Sequence, residues 1–82
     1  GFLENRNADI AKLRSSLDDK NFVEIQSIGH STKGVGGGYG FDLMSELGAE
    51  IESAAKESDA DKIIEKINQL DDYLQRIEIE YA

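Results

Sequence analysis

An all-α, antiparallel up-down-up-down four-helix bundle is the fold this sequence predicts, and three observations predict it. Four segments carry apolar residues at helical spacing, and the connections between them are short. No proline occurs in 82 residues, which suits long uninterrupted helices. No alternation with a period of two persists anywhere, so nothing reads as a strand. A chain of this length makes a single domain, expected over residues 1–82, and with so small a core it depends on good helix packing.

The first helix is expected over about residues 2–17. Leu3, Ile10, Leu13 and Leu17 fall on one face at offsets of seven, three and four. It begins without an obvious cap, as expected of a piece cut from a longer protein. Asp18-Asp19-Lys20 connects it to the second helix, expected over 21–37. Asn21 is a good N-cap, and Glu24 stands three residues on in a capping-box arrangement. Phe22, Ile25, Gly29, Thr32 and Gly36 share one side, with Ile28 at its edge. The run Gly36-Gly37-Gly38 reads as a tight turn that ends this helix, because periodic apolar segments flank it at once.

The third helix is expected over 40–57, burying Met44, Leu47, Ile51 and Ala54 or Ala55, with Phe41 and Leu43 at the margins. Gly48 lies within that stripe and allows a neighbouring helix to come close. Ser58 or Asp59 caps a fourth helix over 59–81. Its seam of Ile63, Ile67, Leu70, Leu74, Ile77 and Tyr81 alternates steps of four and three, the pattern of a bundle helix.

Composition narrows the function. The formal net charge is −8, which disfavours a nucleic-acid binder, since that needs a basic face to neutralise phosphates. Cysteine is absent, so neither a disulfide nor a thiolate metal site is available, and a reducing compartment fits. No apolar run approaches the ~18 residues of a membrane span, and no signal-peptide pattern is present. A soluble, cytoplasmic domain without membrane contact is therefore expected.

The unusual residues concentrate in one stretch, Ile28 to Gly40, which holds the only histidine and six of the eight glycines. At 100° per residue, His30 points roughly 120° away from the centre of the apolar stripe. Its own face carries Val23, Gln26, Ser27, Lys33, Gly34 and Gly37. A helical side chain covers the turn before its own Cα, so a bulky residue at 34 would lie over His30, and glycine leaves the imidazole open.

Several chemistries fail on spacing. A P-loop needs GxxxxGK[ST] after a strand, and here Lys33 precedes the glycines. GxGxxG is absent, because the third glycine position after Gly34 and Gly36 is Tyr39. A carboxylate-bridged di-metal bundle needs paired Glu-x-x-His motifs, whereas Ser27 stands three before the single histidine. A catalytic zinc site lacks enough ligands. A serine hydrolase would have to share His30 with Ser27 or Ser31, and no nucleophile elbow is visible.

His30-x-x-Lys33-Gly34, followed by Gly40, Leu47 and Ile51, resembles the histidine-containing phosphotransfer (HPt) domain. His30-Ser31-x-Lys33-Gly34 with Tyr39-Gly40-Phe41 is similar to the phosphoacceptor domain of chemotaxis histidine kinases. The resemblance covers nearly the whole chain, starting at Phe2-Leu3-Glu4-Asn5-Arg6. It departs at Thr32, where a larger aliphatic residue is common, and at Gly29, often alanine; both thin the core beside the histidine.

The resemblance implies a phosphocarrier, not an enzyme, in a multistep phosphorelay. It implies that His30 accepts a phosphoryl group from a receiver-domain aspartyl phosphate and passes it to another receiver. Lys33 would reach the phosphate oxygens as a mobile cation. Glu52, on the flank of the third helix at about the height of His30, would by the chemotaxis-type resemblance accept the Nδ1 proton and leave Nε2 as nucleophile. No cofactor is expected on this chain; Mg²⁺ belongs to the partner receiver. The expected partners are response-regulator receivers and/or a histidine kinase, docking on Val23, Gln26, Ser27, Gly34 and Gly37. Direct phosphorylation by a kinase domain using ATP, or a helical interaction module with a degenerate motif, are the alternatives.

Overall fold

A computed structural model of the chain describes residues 1–81. Four helices follow in order: α1 (Phe2–Asp18), α2 (Phe22–Tyr39), α3 (Asp42–Lys56) and α4 (Ala60–Tyr81). Among the described residues there is no strand. Each helix touches two others in a ring, α1 on α2 and α4, and α3 on α2 and α4, with α2 against α3 the most intimate pair. The resulting body measures 34 × 20 × 19 Å.

The core is the apolar stripe of each helix turned inward, as burial of a ~100° face requires. Ile10 and Leu13 come from α1, Ile25 and Ile28 from α2, and Met44, Leu47, Ile51, Ala54 and Ala55 from α3. Ile63, Ile67, Leu70, Leu74 and Ile77 complete it from α4, and the Tyr81 side chain expected there lies outside the described residues. Ile28, placed at the edge by its helical angle, is buried; both Ala54 and Ala55 are. Leu3 and Leu17 are partly buried against the core. The inward face of α1 also carries Arg6, whose side chain is only 15% exposed. Its Nη2 pairs with Asp9 at 3.2 Å, and its Cζ sits 5.8 Å over the Phe2 ring.

All three connections are built alike. After each helix one residue takes a left-handed φ, and the following N–H reaches back to a carbonyl five residues earlier, satisfying an orphan acceptor. Asn21 N donates to Ser16 O at 2.8 Å, Phe41 N to Gly36 O at 2.8 Å and Asp59 N to Ala54 O at 3.0 Å. The left-handed residues are Lys20 (φ 56°), Gly40 (φ 78°) and Ser58 (φ 54°). Asn21, Phe41 and Asp59 then serve as the first residue before the next helix. Asn21 Oδ1 accepts from Glu24 N and Asp59 Oδ1 from Lys62 N, each at 3.2 Å. The Glu24 carboxylate turns to Lys12 Nζ at 3.3 Å across the α1–α2 boundary, in place of the reciprocal half of a capping box.

The glycine run is not a turn. α2 continues through Gly36, Gly37 and Gly38 to Tyr39, and only Gly40 takes a positive φ. Packing overrides the low propensity of these residues. A Cβ at Gly36 would stand 2.6 Å from Ser45 N and 3.1 Å from Met44 C, so the bare Cα lets α3 lie directly on this turn. Ser45 Oγ also donates to Lys33 O at 3.0 Å. Beyond the run, Tyr39, Phe41 and Phe2 form a ring cluster, with centroids 4.7 Å apart for Phe2–Tyr39 and 5.7 Å for Phe2–Phe41.

Candidate functional site

His30 sits in the middle of α2 on the outward side, its side chain 73% exposed. The face given by its helical angle is the face it takes. Gly34, four residues on, has nothing within 4 Å of where a Cβ would be, and the same holds for Gly38. At Gly37 the nearest such atom is Ser45 Oγ at 3.9 Å. Beyond the histidine the wall of α2 is therefore bare backbone, and another molecule can approach the ring from that side.

On the other side, α3 supplies Glu52. Its Oε2 lies 3.2 Å from His30 Nδ1, and its side chain is only 17% exposed. A carboxylate held there faces an Nδ1–H that can donate to it, which favours that tautomer and leaves Nε2 with the lone pair. Among the described residues the ring pairs with Glu52, on the Nδ1 side, and Nε2 lies on the other side of the ring. Val23, Gln26, Ser27, His30 and Glu52 together line a depression of about 320 Å³. Val23 is 80% exposed, an apolar side chain lying open beside the imidazole.

Five residues singled out from the sequence thus share one depression, and Gly34 and Gly37 extend the same face. Lys33 is exposed one turn along α2 and lies outside that lining. Its carbonyl accepts a hydrogen bond from Ser45 Oγ. Ser45 escaped sequence reasoning, since nothing local marks a hydroxyl twelve positions from Lys33. Thr32 is buried, and its Oγ1 donates back to Ile28 O at 2.8 Å, which satisfies the hydroxyl within its own helix.

The core beside the histidine is not thin at Gly29. A Cβ there would stand 2.8 Å from Glu52 N and 2.9 Å from Gly48 O. The space an alanine methyl takes elsewhere is filled by the α3 backbone. The register follows: Gly29 meets Gly48 and Glu52, Lys33 meets Gly48, and Gly36 meets Ser45. Positions fall along α3 as they rise along α2.

The arrangement offers an exposed imidazole beside a carboxylate, with an exposed lysine one turn along the helix and clearance for a second macromolecule. Among the described residues no group of three or more His, Cys, Asp or Glu side chains could hold a metal ion. No helix among the described residues is long and apolar enough to cross a membrane.

The family model for the Hpt domain matches residues 1–80. Neither the curated proteins nor the solved structures compared with the chain gave a match.

Proposed function

The chain belongs to the Hpt domain family, whose members carry phosphoryl groups on histidine in two-component signalling, and from that premise we propose that His30 is the phosphoacceptor of a phosphorelay. The single observation that carries the assignment is the placement of the ring, exposed on α2 with Nδ1 3.2 Å from Glu52 Oε2. In the proposed step Nε2 attacks the phosphorus of an aspartyl phosphate on a receiver domain. An N–P bond forms, the bond from phosphorus to the acyl oxygen breaks, and the electron pair leaves with the aspartate carboxylate. The Nδ1 proton stays on the ring, where Glu52 faces the positive charge that develops. Lys33 offsets charge on the phosphoryl oxygens. Transfer to a second receiver is the same step reversed.

This chain acts as a phosphocarrier, and the receiver supplies Mg²⁺ and most of the catalysis. Docking uses Val23, Gln26, Ser27, Gly34 and Gly37. Since a relay partner must also leave, the interface falls near the lower end of specific interfaces, about 1,200 Å² in total. The reading includes an antiparallel up-down-up-down arrangement of the four helices, which the falling α2–α3 register supports, and a cytoplasmic location.

One observation favours a second reading, in which a kinase domain phosphorylates His30 directly from ATP. The Glu52 contact is the feature shared with the chemotaxis-type resemblance. Incubation with a panel of phosphorylated receivers, and separately with a kinase and ATP, distinguishes the donors through acid-labile phosphate on this chain. His30→Gln is expected to abolish labelling in either case with helicity unchanged, because so exposed a side chain carries little fold energy. Phosphate persisting on that variant refutes the assignment.

A further inference from the structure

Gly29 precedes the histidine and has no side chain, yet it decides how near α3 stands to the ring. An added Cβ would lie 2.8 Å from Glu52 N and 3.2 Å from Glu52 Cα. At the facing position, a Cβ on Gly48 would lie 2.5 Å from Lys33 N and 2.8 Å from Gly29 O. All of these are backbone atoms, which cannot rotate aside as the end of a flexible side chain can. The two helices hold this separation only with glycine at both positions. The residue whose backbone rests on Gly29 is also the one whose carboxylate reaches Nδ1.

We infer that Gly29, with Gly48 as its counterpart, is a positioning residue for phosphoryl acceptance: the pair sets the α2–α3 separation at which Glu52 holds the Nδ1 side of His30. This rests on the reading of His30 as acceptor. With alanine at 29, Glu52 N must retreat by about 0.6 Å, from 2.8 Å to the 3.4 Å where ordinary van der Waals contact begins. The same retreat carries the Nδ1–Oε2 distance from 3.2 Å toward about 3.8 Å, beyond the range in which an N–H···O bond forms. The ring then loses its fixed tautomer, and a smaller fraction presents a lone pair at Nε2.

The test uses phosphoramidate, a small phosphoryl donor that needs no docking surface. Its P–N bond breaks as the bond to Nε2 forms, and ammonia leaves with a proton from solvent. Two readouts are taken: the rate of acid-labile phosphate at His30, and imidazole ¹⁵N shifts, which report the tautomer of the neutral ring without any phosphoryl transfer. Gly29→Ala and Glu52→Gln are each expected to slow labelling by about tenfold, in keeping with the sensitivity of such steps to sub-ångström misplacement, and to shift the tautomer alike. The double variant is expected to be no slower than Glu52→Gln alone. Gly38→Ala, in open space on the same helix, is expected to match the parent.

The inference is overturned if Gly29→Ala leaves tautomer and rate unchanged, or if it slows the Glu52→Gln background by as much as it slows the parent. It also falls if Glu52→Gln alters neither readout, although His30 can still be the acceptor. Failure of the parent to take phosphate counts against the acceptor reading, while the tautomer arm still decides the geometry. Should alanine at 29 unfold the bundle, Glu52→Asp draws the carboxylate back by one methylene with the helices in place. A comparable loss supports the inference, and parental behaviour overturns it.

Discussion

Gly34→Gln separates the fold from the transfer reaction at one position. Nothing lies within 4 Å of a Cβ at Gly34, and the backbone there is helical, so the side chain enters without collision. Glutamine in a helix interior is better than glycine by roughly 0.5–1 kcal/mol. For a domain of this size that raises Tm by roughly 3–6 °C. The same side chain leans toward the N-terminus and comes to rest over His30, four residues earlier. In-line transfer needs the reacting atoms about 3–3.5 Å apart, and a misplacement of 1 Å can cost about 100-fold. Transfer from a phosphorylated receiver is therefore expected to slow by roughly two orders of magnitude. Labelling by a small donor, which fits beside the glutamine, should fall far less. Gly34→Ala is the companion: it gains about 1 kcal/mol of helix propensity, covers nothing and should transfer close to the parental rate. Circular-dichroism melting and rapid-quench transfer measure the two effects. If Gly34→Gln is more stable but exchanges phosphate at the parental rate, the bare face is a consequence of helix sequence and the docking argument is wrong.

Two expectations concern stability alone. Arg6 Nε and Nη1 are buried without a hydrogen-bond partner among the described residues, and Nη2 pairs with Asp9, so replacing the whole pair, Arg6→Met with Asp9→Ala, should raise stability by about 1–3 kcal/mol, read as a higher urea midpoint at constant m-value; a lower midpoint refutes it. Ser58 holds φ 54° without being glycine, so Ser58→Gly should gain about 1 kcal/mol by removing the Cβ clash of the left-handed region. A midpoint equal to the parent's contradicts that reading.

What the sequence revealed and what it hid divide along physical lines. The seam of α4 was legible because five regularly spaced aliphatic residues leave one face available for burial. The outward angle of His30, and its company of Val23, Gln26 and Ser27, followed from helix geometry within α2 alone. Glu52 needed the family resemblance as well, since helical angle puts it on a flank without fixing its distance from the ring. Arg6 went unnoticed although it stands between Leu3 and Ile10 on the stripe of α1. Arginine reads as a surface residue, yet its long aliphatic stem can lie along an apolar face. The glycines at 36–38 read as a turn because local propensity points that way. Their helical state depends on α3 lying against Gly36, a distance that no single-helix argument contains. Gly48 was legible as a place where a neighbouring helix could come close, but the contact of Gly29 with Glu52 and the role of Ser45 escaped for the same reason: each matters through a partner on the neighbouring helix.

α2 holds five glycines, at 29, 34, 36, 37 and 38. Against alanine they cost roughly 4–5 kcal/mol of helix propensity, and in proteins most helical stability comes from tertiary packing and not from propensity. The order of α2 must come from elsewhere, and the contacts identify α3 as the source. Two of the five, Gly29 and Gly36, lie directly on α3 backbone, and Ser45 ties the intervening turn through Lys33 O. The other three add nothing to that inner surface. They can remain bare only because the inner face already holds the helix, and their bareness opens the approach to His30. The stability of α2 and its accessibility thus rest on different glycines of one helix. Enlarging residues on the inner face should disturb fold and chemistry together, whereas enlarging residues on the outer face should disturb only the meeting with a partner.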